Sequence, residues 1–250
     1  MRLQGDQIAL FLSGQDVPIV ECNIIVHQPT IKQIAIFKET NFISAVQLFS
    51  QVDENIAKLR KLNPLTEQFS DFELLMALLS QDDKIKKSVN DFFELIFPRY
   101  IVEIRDKDIC FYQDDRRVGM INLYNYKVFC DTINKLFGLP TDKKKYNPAN
   151  KKAEELVDKF KKRAEILAKQ KGKKDDSPSL YGSYVSILSV GMNLDLNVLL
   201  NYTPFQLYDT FDRYWKKNSS DFYQRVSTMP MMDTSKMEEP DSWTNNLYDK

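Results

Sequence analysis

The chain has 250 residues, 43% of them hydrophobic and 28% charged, enough apolar material to bury a core without disulfide or metal staples. Lys plus Arg and Asp plus Glu number 35 each, so no overall field recommends nucleic acid or an anionic membrane as a partner. Only 7 glycines, a single histidine and 3 widely spaced cysteines exclude a phosphate-cradling loop and a paired-histidine zinc motif, and they favour free thiols in a reducing compartment.

The apolar stretch Ile8 to Leu12 is too short for a signal sequence, and the longest aliphatic run, Leu74 to Leu79, falls far below the ~20 residues a spanning helix requires. No export signal and no membrane partner are expected. Ile19 to Val26 reads as one β-branched strand ended by Pro29. Thr30 with Gln33 forms a capping-box pattern, and Ile31, Ile34, Ala35, Phe42, Ala45, Val46 and Phe49 follow at helical spacing with a break near Glu39 to Asn41. Ser70 with Glu73 repeats the pattern ahead of Phe72 to Leu79, and a further helix is expected from Lys84 to Phe97. Tyr100 to Asp106, Ile109 to Gln113 and Val118 to Ile121 predict a small antiparallel sheet. Helical spacing then runs from Leu123 to Phe137, stopped by Gly138 and Pro140.

Lys143 to Lys174 holds 13 Lys or Arg against 4 Asp or Glu, a net +9, with Ala153, Leu156, Val157, Phe160, Ala164, Leu167 and Ala168 drawing one apolar helical stripe. After a polar linker, Leu180 to Val190 reads as apolar, and Asp195 is placed to cap a short helix through Leu200. Thr203, Pro204 and Gln206 supply an N-cap, a first-turn proline and a capping-box glutamine for a long aromatic helix carrying Leu207, Tyr208, Phe211, Tyr214 and Trp215 and extending through Phe222. The fold class expected is mainly α (α+β), a helical protein with a small antiparallel β element in its N-terminal region. Its parts are residues 1–142, an α+β region; 143–174, a basic amphipathic helix; 180–228, a C-terminal helical unit; and 229–250, a flexible polar tail.

Catalytic signals are poor. Cys22 and His27 lie five positions apart, on opposite faces if one strand holds both, and the pairs Asp82/Asp83, Asp114/Asp115 and Asp175/Asp176 fall where aspartate caps turns. No catalytic, cofactor-binding or metal-binding residue is assigned and no enzyme is expected. The basic helix holds only Tyr146 and Phe160 as aromatic residues, so base stacking is not expected of it and nucleic acid is a third, weaker reading.

Three segments taken together, Val26 to Ile34, Tyr146 to Glu154 and Leu199 to Tyr208, with the Pro-Asp-Ser-Trp stretch at Pro240 to Trp243, resemble tail assembly chaperones of tailed bacteriophages in the same order along the chain. The resemblance implies a non-enzymatic factor that binds the phage tape measure protein in the host cytoplasm during tail morphogenesis. It also brings in the tail tube protein as a further partner and leaves a homo-oligomer open. The alternative it implies is a structural component of the tail or baseplate that remains in the virion. On the chaperone reading the expected partner contacts are Phe205, Tyr208, Phe211, Trp215, Phe222 and Trp243, since aromatic side chains carry a large share of interface energy.

Overall fold

The computed structural model describes residues 5–49, 68–138, 179–229, 240 and 242–244. The basic helix expected at 143–174, the Asp175/Asp176 pair and most of the tail lie outside the described residues. The architecture is mainly α with two small antiparallel sheets, an α+β fold.

Helix α1 (Gly5–Ser13) opens the described chain, and the sequence reading had found only a short apolar stretch there. The single strand expected over Ile19 to Val26 is instead a hairpin: β1 (Val17–Ile19), a 3-10 turn (Val20–Cys22) and β2 (Ile24–Val26), paired antiparallel from Val17 opposite Val26. Asn23 reverses the chain because its backbone takes the left-handed conformation (φ 53°), which asparagine tolerates better than a β-branched residue. Its side chain then donates to the Val118 carbonyl, so the reversal is tied to the second sheet.

Helices α2 (Ile31–Phe37) and α3 (Glu39–Leu48) are separated by Lys38 at φ 82°. The Thr30/Gln33 box is closed in both directions, Gln33 N to Thr30 Oγ1 at 3.3 Å and Thr30 N to Gln33 Oε1 at 2.7 Å. Helix α4 (Asp71–Gln81) starts on the Ser70/Glu73 box, and Asp82 Oδ1 starts α5 (Asp83–Ile96) by accepting from Lys84 N and Ile85 N. Strands β3 (Ile101–Ile104), β4 (Ile109–Gln113) and β5 (Arg116–Ile121) form a meander in that order. β5 begins two residues earlier than expected, because Asp114 and Asp115 both have positive φ and close a two-residue hairpin loop of the type that matches strand twist. Gly119 permits the two sheets to touch: a Cβ there would stand 2.6 Å from the carbonyl oxygens of Cys22 and Asn23. Helix α6 (Tyr126–Phe137) follows a turn that leaves Leu123 outside the helix and exposed.

Helices α7 (Leu180–Met192), α8 (Leu196–Leu200) and α9 (Pro204–Ser227) complete the described chain. Tyr181 meets Tyr208 with ring centroids 5.9 Å apart, Tyr184 meets Phe211 at 4.2 Å, and Gly191 lies against Tyr214. The contacts advance together along both helices, so α7 and α9 run in the same direction and α8 returns the chain between them.

The core is one continuous cluster. Phe42, Phe49, Phe92, Phe93, Phe97, Phe111, Phe129 and Phe137 are fully buried at its centre, and Tyr181, Val185, Leu188, Leu199, Phe205 and Leu207 join it from the C-terminal helices. Glu39 fastens that junction. Its carboxylate accepts from Leu180 N at 2.6 Å, from Tyr181 N at 3.2 Å and from the Ser179 hydroxyl, capping α7 from another helix and placing negative charge at its N-terminus. Ile31 N donates to the Tyr202 carbonyl and Gln206 Nε2 to the Leu12 carbonyl, while Phe11 packs edge-on to Phe205 at 5.2 Å.

Candidate partner-binding surface

Along α9 the spacing of Tyr208, Phe211, Trp215 and Phe222 is three, four and seven residues, which keeps all four on one face of a helix turning ~100° per residue. The structure treats the two halves of this stripe differently. Tyr208 and Phe211 are half-buried under Tyr181 and Tyr184 of α7, and burial pushes the Tyr208 hydroxyl well above its ordinary pKa. Trp215 and Phe222 are 62% and 61% exposed. Phe205, the first of the expected contact residues, is buried and serves the core.

Trp243 is placed elsewhere. Its carbonyl accepts from Arg213 Nη1 at 3.1 Å, which puts the Trp243 backbone beside the middle of α9. Arg213 is two positions before Trp215, ~200° around the helix. Trp243 is held through its backbone by Arg213, and the six expected residues divide among core, α7 seam, open face and this tail contact.

The C-terminal unit exposes further apolar side chains that the sequence reading did not single out: Ile187, Val190 and Met192 on α7, and Leu196 and Val198 on α8, with Val190 85% exposed. Ser179 to Leu194 carries no acidic or basic side chain, and a helix apolar all round is ordinarily read as buried. Here only one side is covered. The charges on α9 are mostly spent within the helix: Arg213 with Asp209 at 3.1 Å, Lys216 with Asp212 at 3.1 Å and Lys217 with Asp221 at 3.0 Å. Arg225, exposed three residues after Phe222, is in none of these pairs, so the open face carries Trp215 and Phe222 together with one cationic side chain.

The N-terminal region offers a groove of about 690 Å³ between α4, the β3–β4 turn and Leu123, floored by Phe72, Met76 and Ile104 and edged by Lys86, Arg105 and Lys107. Its rim is of mixed sign, since Glu73 and Asp106 also line it, and Arg105 is engaged with Glu103 at 2.8 Å.

The thiol and imidazole do not combine. Cys22 is buried in the 3-10 turn, where burial, and then the neighbouring Glu21, push its thiol up to about 12, while His27 Nδ1 lies 2.9 Å from Asp16, whose other oxygen pairs with Arg99 at 2.7 Å. Among the described residues no group of three or more His, Cys, Asp or Glu side chains is placed to hold a metal ion, and no helix is long and apolar enough to cross a membrane.

A family model described as YomV second domain matches residues 171–248, the part of the chain that carries α7 to α9. That family is phage-associated, from the SPbeta region of Bacillus phage, and the match gives the C-terminal unit a bacteriophage association. No curated protein and no solved structure matches the chain.

Proposed function

We propose that the chain is a bacteriophage tail assembly chaperone that holds the tape measure protein in the host cytoplasm until the tail tube forms around it, acting by binding and without turnover. The observation that carries this reading is the set of exposed apolar side chains on the C-terminal unit, Trp215 and Phe222 on one side of α9 with Ile187 and Val190 on one side of α7, within the residues that a phage-associated family model matches. Exposed apolar area of this kind is costly to keep in water and is retained where a partner covers it. The resemblance of three segments, in order along the chain, to tail assembly chaperones supplies the identity of the partner.

Co-expression tests the proposal. Tape measure protein from the same tail gene cluster should partition to the soluble fraction with this chain and aggregate without it, because covering its apolar stripes removes the surfaces through which it self-associates. Purified particles should then contain no stoichiometric copy of this chain. Equal insolubility with and without it, together with its presence in finished particles, would replace the chaperone by a structural component of tail or baseplate.

A further inference from the structure

We draw no further inference here: the strongest candidate, the groove of about 690 Å³ between α4, the β3–β4 turn and Leu123, has a rim of mixed sign, and nothing in the structure shows what covers it.

Discussion

Cys22 and Cys130 are enclosed by the core, and for both burial is the first cause that pushes the thiol up to about 12. Burial also raises the hydroxyls of Tyr181 and Tyr208. Each of these groups is held protonated by the fold, so its contribution is fully present below its unfolded pKa and is lost as pH rises toward the folded one. Stability should therefore fall from about pH 9 upward, by as much as ~1.4 kcal/mol per pH unit for each group released. Chemical denaturation at pH 8 and pH 10.5 checks this, and a thiol reagent at pH 8 should label the native chain far more slowly than the unfolded one. The residues themselves gave part of this. Odd, scattered cysteines indicate free thiols, but no local pattern reveals that Cys22 sits beneath Gly119 of a distant strand, or that His27 reaches Asp16, itself paired with Arg99, rather than the thiol.

Capping chemistry was the most readable level of the fold, because each box is complete within four residues. Thr30/Gln33, Ser70/Glu73 and Thr203/Gln206 all start helices where the sequence places them. The strand over Ile19 to Val26 failed for the opposite reason. β-branched residues favour extended backbone all along that run, and only the left-handed Asn23, pinned to Val118 almost a hundred residues away, breaks it into a hairpin. Glu39 is another long-range device, since a first-turn glutamate of one helix caps a helix some 140 residues later. Glu39→Ala removes acceptors for three donors at the start of α7 and should cost about 1 to 3 kcal/mol. Hydrogen exchange localises the effect: amides of α7 should lose protection first while α4 and α5 keep theirs. Uniform loss across all helices would show that the cap is not what secures α7.

Phe93 touches five other aromatic rings, Phe49, Phe92, Phe97, Phe111 and Phe129, at centroid separations from 5.5 to 6.4 Å, and so joins helices α3, α5 and α6 to strand β4. Phe93→Ala should cost about 3 to 5 kcal/mol, the range for emptying a well-packed aromatic site, and should be visible as a lowered denaturation midpoint. The C-terminal helices share this core through Phe42 and Tyr181, so the loss should lower the transition of both regions together. Helical content and the meander could be anticipated from periodicity. The shared core could not, because a helix such as α7 with no charged residue displays no polar side to show which way it faces. The same ambiguity hid Ile187 and Val190 from the candidate surface, while the aromatic stripe of α9, set against charged neighbours, stood out. The return of Trp243 to Arg213 spans thirty residues and leaves no periodic trace at all.

The Trp243 contact has an optical consequence. The chain contains two tryptophans, Trp215 exposed on α9 and Trp243 bonded through its carbonyl to Arg213 of the same helix, while the large ring cluster of the core is built from phenylalanine and tyrosine. Light absorbed at the red edge of the protein spectrum is thus emitted from that unit alone. A Trp215→Phe chain would report detachment of the tail through Trp243, and a Trp243→Phe chain would report occupation of the open face through a blue shift of Trp215. The two events can be followed separately in one molecule without adding a dye.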